Sequence, residues 1–391
     1  MKNLFQNIAT PFYYYDMDLM QRTFYNAISE AEKYNYQIHY ALKANTNERV
    51  LQTALEYGFG ADCVSGNEVI KAVESGFNPK KIVFAGVGKT DEEIEYALQK
   101  NIFSFNVESL EELEVIGEIA KKNQIIANIA LRINPGVDAH THKYLTTGIV
   151  ENKFGIDRSD ILKSIKIIFN NKFLNFNGLH FHIGSQITSL EPFIELCKIV
   201  NEIQDELNLK NIFPENINLG GGFGINYENP DKELIPDFKT FFSTINKFLK
   251  IRNNQKIHFE LGRSLVAQSG TLVSKVLYVK KGQQKDFVIL DAGMTDLIRP
   301  ALYGSVHKIE NYSSQSRNTF ALAKYDVVGP VCESSDRFAE QLRLPETHRG
   351  DLIFIRSTGA YGQIMSSNYN LRKNAPAVYS DELIQKSRLA V

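Results

Sequence analysis

Ile257-His258-Phe259-Glu260-Leu261-Gly262-Arg263 contains the last of eight short apolar runs, and the count of eight decides the fold. Read backwards, the others are Ile217-Asn218-Leu219, Phe176 to His182, Ile126 to Ile133, Ile102 to Val107, Lys81 to Ala85, Gly60 to Val64 and Ile38 to Leu42. Each of the first seven is followed by a segment with helical spacing, such as Asp91 to Gln99 or Ser109 to Lys122. Eight strands alternating with helices predict a large α/β unit, a (β/α)8 TIM barrel, over 30–268; a doubly wound sheet is the alternative that the count disfavours. Beyond Gly270 the texture changes. Thr271 to Val279, Asp286 to Leu290, Leu322 to Val328 and Asp351 to Ile355 read as strands without long intervening helices. They predict a C-terminal β domain over 269–391, joined by residues 1–29 through the strand-like Phe12-Tyr13-Tyr14-Tyr15.

Bulk properties narrow the function classes. The chain has 391 residues, 43% of them hydrophobic, with 44 basic against 45 acidic residues. That length accommodates one large domain and a smaller one. The near-zero charge gives no footprint for nucleic acid or a membrane surface. Cys63, Cys197 and Cys332 are too few and too irregular for a disulfide framework or a zinc motif, so no metal is expected. No run is long and apolar enough to cross a bilayer, and the first residues lack a signal-peptide core, so a cytoplasmic protein is expected.

In a barrel, chemistry is carried at the C-terminal ends of the strands. Lys43 ends the first run, where apolar neighbours would lower its pKa as a Schiff-base lysine requires; most lysines at strand ends are simply solvated. Gly220-Gly221-Gly222 follows the seventh run and is equally a flexible turn or a phosphate cradle. Glu260, near the end of the eighth run, is either an ordinary partner of Arg263 or a carboxylate facing a pyridine nitrogen. Alternation puts His180 and His182 on the same face; an imidazole there can stack on a ring, Ser185 can bind phosphate, and the bland alternative is a pair of core histidines. Cys332, beside Glu333 and Asp336, is buried filler or a thiol acid, since nearby carboxylates disfavour the thiolate.

In this order and combination, these motifs resemble the fold-type III pyridoxal 5'-phosphate (PLP)-dependent decarboxylases. The likeness runs from Thr10-Pro11-Phe12 to Tyr369-Asn370 through Tyr40-Ala41-Leu42-Lys43-Ala44-Asn45, Val64-Ser65-Gly66, His182-Ile183-Gly184-Ser185, the triple glycine, Glu260-Leu261-Gly262-Arg263, Leu297 to Tyr303, Gly329 to Ser334 and Gly359-Ala360-Tyr361. The resemblance implies an alanine-racemase-like barrel plus β domain, PLP as cofactor, and a homodimer with shared active sites. It implies that Lys43 carries PLP, His182 stacks on it, and Glu260 faces its ring nitrogen. Ser185, Gly220, Gly221, Gly222 and Tyr361 would hold the phosphate, helped by the backbone near Gly262 and Arg263. Cys332 of the partner subunit would be the proton donor.

Within the family the likeness is to the branch acting on meso-diaminopimelate, the last step of lysine biosynthesis. Arg263, Arg299, Tyr303, Glu333 and Tyr361 are the implied substrate-binding residues. The distal end of that substrate carries a carboxylate, which suits two arginines, and an ammonium, which suits Glu333. Ornithine offers arginines nothing to hold. Decarboxylases of ornithine, arginine or carboxynorspermidine are therefore the nearest rivals; a racemase, a catalytically dead PLP-binding protein and a metal-dependent barrel hydrolase are more distant ones. The chain departs from the family pattern at Leu261 (usually proline), Asn67 (usually glycine) and Thr295 (commonly asparagine).

Overall fold

The structure is a computed structural model, and it describes residue 5 and residues 7–137, 153–317 and 321–383. The chain opens with β1 (Phe12–Tyr15) and α1 (Met17–Glu32). Eight strands follow: β2 (Gln37–Ala41), β3 (Gly60–Cys63), β4 (Ile82–Phe84), β5 (Ser104–Val107), β6 (Ala127–Arg132), β7 (Leu174–His180), β8 (Asn216–Asn218) and β9 (Lys256–Leu261). They alternate with α2 (Glu48–Glu56), α3 (Gly66–Ser75), α4 (Asp91–Gln99), α5 (Leu110–Asn123), α6 (Ile161–Asn170), α7 (Glu191–Asn208) and α8 (Phe238–Phe248). Neighbouring strands pair in parallel, and β9 returns to β2 to close the barrel. The (β/α)8 expectation is therefore met, and the doubly wound alternative is excluded.

The local reasons are visible in the caps and loops. Side chains of Asn47, Ser65, Thr90, Ser109 and Asp237 accept backbone N–H bonds at the starts of α2, α3, α4, α5 and α8. Acidic residues in the first helical turns then reach back to the barrel rim. Glu68 accepts from Val64 N–H at 2.7 Å, Glu93 from Gly66 N–H at 2.6 Å, and Glu112 from Glu108 N–H at 2.8 Å. Glu108 in turn holds Gly86 N–H and the guanidinium of Arg132. Lys89, almost wholly enclosed, donates to Glu112 and to the carbonyl oxygens of Gly86 and Asn106. The strand-to-helix loops, where a barrel carries its chemistry, are thus tied together by buried charge.

Two compact units emerge: residues 24–224 with 237–262, and residues 1–23 with 225–236 and 263–391. These limits differ from the expected 30 and 268. The excursion 225–236, which the sequence places inside the barrel, groups with the second unit. There Asp231 pairs with Lys308 and Arg356, partners distant in sequence that no local pattern encodes. The second unit also contains two short helices, α9 (Arg263–Val266) and α10 (Arg299–Tyr303). Its sheet is built from β10 (Gly270–Lys280), β11 (Asp286–Leu290), β12 (Ile309–Asn311), β13 (Leu322–Val328), β14 (Arg337–Pro345), β15 (Leu352–Arg356) and β16 (Ala377–Tyr379), together with β1. The strand order is β12-β15-β10-β11-β13-β14, with β1 antiparallel to β10 and parallel to β16. Phe5, Phe12, Val273 and Leu352 form a core cluster there, and each fully buried side chain of this kind contributes roughly 1.5–3 kcal/mol. Among the described residues no helix is long and apolar enough to cross a membrane.

Gly178 marks the tightest strand approach in the β7–β8 pairing. A Cβ there would lie 2.0 Å from the carbonyl oxygen of Asn216. Gly178→Ala is expected to lower stability by about 1–3 kcal/mol through overpacking, read as a drop in the urea midpoint. An unchanged midpoint would show that β8 can move aside.

Candidate active site

The barrel's strands deliver polar side chains from within apolar runs to one buried carboxylate. Glu260, the penultimate residue of β9, accepts from Asn106 Nδ2 at 3.0 Å, Asn218 Nδ2 at 2.7 Å and His180 Nε2 at 3.0 Å. All four residues are buried. Burial alone would raise the Glu260 pKa. The interaction with His180, and behind it the charge of Lys43, outweigh burial and hold the carboxylate well below its usual range. The reading of Glu260 as an ordinary surface ion-pair partner is excluded by this burial. Three donors on a group with about four acceptor positions leave room for one more, which matches the N–H of a protonated ring.

Lys43 lies in the short turn Leu42–Ala44 that follows β2, and its Nζ lies 3.3 Å from Asp62 Oδ2 on β3. Asp62 is fully buried; burial, and then Glu260, push its pKa up to about 6 against the pull of Lys43. His180 and His182 do not share a strand face as the alternation predicts, because β7 ends at His180. The two imidazoles take separate partners: His180 turns to Glu260, and His182 Nδ1 accepts from Gly221 N–H at 3.2 Å. That bond places the proton of a neutral His182 on Nε2. Burial, then Lys43 and Arg132, hold its pKa well below the ordinary value, so a neutral ring is presented.

The glycine run is required by space. A Cβ at Gly220, Gly221 or Gly222 would lie 2.2, 2.1 or 2.6 Å from the backbone oxygen of Phe181, Glu260 or Gly184. Gly220 and Gly222 also have φ of +70° and +102°. Gly220 N–H donates to Asn218 Oδ1 and Gly221 N–H to His182 Nδ1, so these two positions offer a close backbone approach rather than their N–H groups. Ile187 N–H donates to Gly222 O, and Gly224 N–H to Ile187 O, which pins the turn carrying Ser185 beside the run. Gly262 lies against Ala41 and Ala44 at the base of the Lys43 turn.

PLP fits these residues. The site offers an amine on Lys43, an ionised acceptor in Glu260, a neutral imidazole and a cradle without side chains. Asp62 Oδ1, Asn106 Oδ1 and His180 Nδ1 are buried without a hydrogen-bond partner among the described residues. Buried polar atoms are seldom left so, and a polar guest would complete them.

The second unit holds another group of the expected residues. Arg263 and Arg299 are both buried. Arg263 donates to Tyr227 Oη at 2.6 Å, and its guanidinium lies 4.7 Å from the ring centre of Tyr361. Arg299 lies 4.6 Å from the Tyr227 ring centre and bonds His307 Nε2 at 2.9 Å. Burial lowers the Arg299 pKa somewhat, yet a guanidinium remains charged at neutral pH. Tyr361 has a left-handed φ of +55°, a conformation a tyrosine holds only where its surroundings impose it. Tyr303 ends α10 and is half-buried. Cys332 and Glu333 are exposed; Glu333 Oε1 accepts from Tyr369 Oη at 2.8 Å. Asp336 is buried and accepts from Met294 N–H and Val331 N–H. Of the departures, Leu261 is buried and pairs with Tyr40, Thr295 is buried, and Asn67 is exposed.

Sequence reading missed Asp62, Asn106, Asn218, Tyr227 and His307. The first three carried a signal: each is a polar residue inside an apolar strand run. Tyr227 and His307 lie in connecting segments with no such contrast.

Residues 18–267 match the family described as pyridoxal-dependent decarboxylase, pyridoxal binding domain. The chain belongs to the pyridoxal-dependent decarboxylases. Among the family's curated members, the diaminopimelate decarboxylase of Bacteroides thetaiotaomicron is 54% identical over 97% of this chain and 98% of its own length. The crystal structure of diaminopimelate decarboxylase from Helicobacter pylori complexed with L-lysine superposes with a TM-score of 0.90 at 40% identity, covering both chains fully. A lysine/ornithine decarboxylase from Vibrio vulnificus, complexed with putrescine, has a TM-score of 0.81 at 22% identity, which speaks to the fold alone. The expected alanine-racemase-like architecture and the expected family are therefore both met, and the family's cofactor is PLP.

Because Glu260 is held ionised in the fold, the folded protein binds fewer protons here than the unfolded chain. Its stabilisation is full above about pH 4.3, the ordinary carboxylate pKa, and declines as the pH falls below it toward the depressed folded value. Glu260→Gln should therefore lose less of its urea midpoint than wild type between about pH 6 and pH 3. Parallel losses would remove the ionised Glu260.

Proposed function

We infer that this decarboxylase converts meso-diaminopimelate to L-lysine and CO2, the last step of lysine biosynthesis. The observation that carries the substrate is the guanidinium of Arg299. It is buried, and among the described residues it is paired with an imidazole and a tyrosine ring but with no carboxylate. A buried cation in that state calls for an anion. The distal carboxylate of diaminopimelate supplies one; ornithine and arginine do not.

The roles divide by chemistry. PLP, carried by Lys43, supplies the electron sink for the pair left at Cα when CO2 departs. Glu260 keeps a proton at the ring nitrogen, and Asn106, Asn218 and His180 keep Glu260 ionised. His182 offers a neutral ring face. Ser185, Gly220 to Gly222 and Tyr361 serve the phosphate. Arg263, Arg299, Tyr303 and Tyr361 take the distal carboxylate end, and Glu333 takes the distal ammonium. Cys332 Sγ gives its proton to Cα. Its exposure supports service in the site of a partner subunit, hence a homodimer. Three free cysteines support a reducing, cytoplasmic setting.

Purified protein with PLP should release L-lysine and CO2 from meso-diaminopimelate and act far more slowly on L-ornithine and L-arginine; preference for ornithine would overturn the distal reading. Lys43→Ala should lose both activity and PLP retained through desalting. Cys332→Ala should keep PLP but slow turnover by roughly 10²–10⁴-fold, the usual contribution of a positioned proton donor. Mixing those two inactive variants should restore roughly a quarter of wild-type activity, one intact site in half of the dimers. No recovery would place Cys332 in its own subunit's site or outside the chemistry.

A further inference from the structure

Arg299 can grip a carboxylate in a defined geometry only if its own long side chain is held. Two contacts hold it. The Tyr227 ring covers a face of the guanidinium, and His307 Nε2 takes one edge at 2.9 Å. His307 is itself fixed on its other side, where Nδ1 lies 2.9 Å from the carbonyl oxygen of Arg356 at the end of β15. A carbonyl only accepts, so Nδ1 carries the hydrogen. A guanidinium only donates, so Nε2 presents its lone pair. Both neighbours therefore demand the same neutral tautomer, and a second ring proton would meet a guanidinium N–H head-on. Burial and the adjacent Arg299 agree, pushing the His307 pKa down to about 3.

The backbone around His307 is equally constrained. Gly304, with φ of +61°, ends α10 and turns the chain back. Lys308 N–H then donates to Tyr227 O, and Arg356 N–H to Lys308 O. The Tyr227 ring meets His307 edge-on, with centroids 4.9 Å apart. One imidazole thus joins three segments of the second unit: 225–236, α10 and the end of β15.

We propose that His307 is a positioning residue for substrate selection, orienting Arg299 toward the distal carboxylate while leaving its charge uncompensated. This rests on the reading of the function given above. The choice of imidazole has a physical reason. Aspartate or glutamate would also accept from Arg299, but would neutralise it and compete with the substrate's carboxylate. A neutral acceptor orients the guanidinium and preserves the attraction. Holding the receptor in place beforehand removes an ordering cost from binding.

The test uses the PLP-loaded enzyme and two diamines that differ in one group. L-Lysine carries the carboxylate that Arg299 would hold; cadaverine is the same chain without it. His307→Asn keeps a donor near Nδ1 but withdraws the acceptor, whereas His307→Gln places an acceptor at the reach of Nε2. His307→Asn should weaken L-lysine binding in calorimetry, and raise KM for meso-diaminopimelate, by roughly tenfold or more, the value of a hydrogen bond to a charged group. Cadaverine binding should be unchanged and kcat should fall much less than kcat/KM. His307→Gln should recover most of the L-lysine affinity. Equal weakening for lysine and cadaverine would mark His307 as merely structural and overturn the proposal, as would no weakening at all. Should His307→Asn fail to fold, His307→Gln decides: near-normal selectivity for lysine over cadaverine supports the proposal, and loss of it does not. A wild-type enzyme that releases no lysine from meso-diaminopimelate would remove the functional reading itself. A wild type that does so, beside an indifferent His307→Asn, would remove only the role of His307.

Discussion

The site in the barrel depends on keeping one carboxylate ionised away from water. An isolated charge in a protein interior would take up a proton. Glu260 avoids this because β5, β7 and β8 each bring one donor to it. β7 and β8 pair with each other and β8 with β9, whereas β5 pairs only with β4 and β6, and closure of the barrel lets its Asn106 reach Glu260. The parallel pairing that unites β2 with β9 is therefore a condition of the chemistry as well as of stability. The glycines after β8 belong to the same constraint, since Glu260 N–H donates to Gly220 O and a side chain at Gly221 would strike the Glu260 carbonyl.

The second unit solves a complementary problem. It holds a buried cation, Arg299, ready for an anion, and it does so with aromatic and neutral imidazole partners. Pairing with an acid would have been the obvious way to bury an arginine, and it would have neutralised the charge. The barrel thus surrounds an anion with donors, while the second unit surrounds a cation with groups that leave its charge available.

The strand runs were legible because barrel strands are buried on both faces and read as short, nearly continuous apolar segments. Lys43, Glu260 and the glycine run stood out against that background by chemical contrast. The sheet of the second unit was legible only in its middle. β1, β10, β11, β13 and β15 were read, whereas β12 and β14, the two ends of the sheet path, and the three-residue β16 were not. An edge strand such as Arg337–Pro345 alternates charge with exposure, so its sequence lacks an apolar signature.

By itself, then, the sequence determined the barrel, the family and the types of residue at the strand ends, because periodicity and local chemical contrast are written in consecutive residues. Tertiary structure decided which partner each of those residues has. It gave His180 and His182 different partners, bound Asp336 to the backbone of Met294 and Val331, grouped 225–236 with the second unit, and set Tyr227 and His307 around Arg299. Several of these partners come from segments tens of residues apart. Hydrogen bonds and ring contacts at that range leave no periodic trace in the chain that makes them.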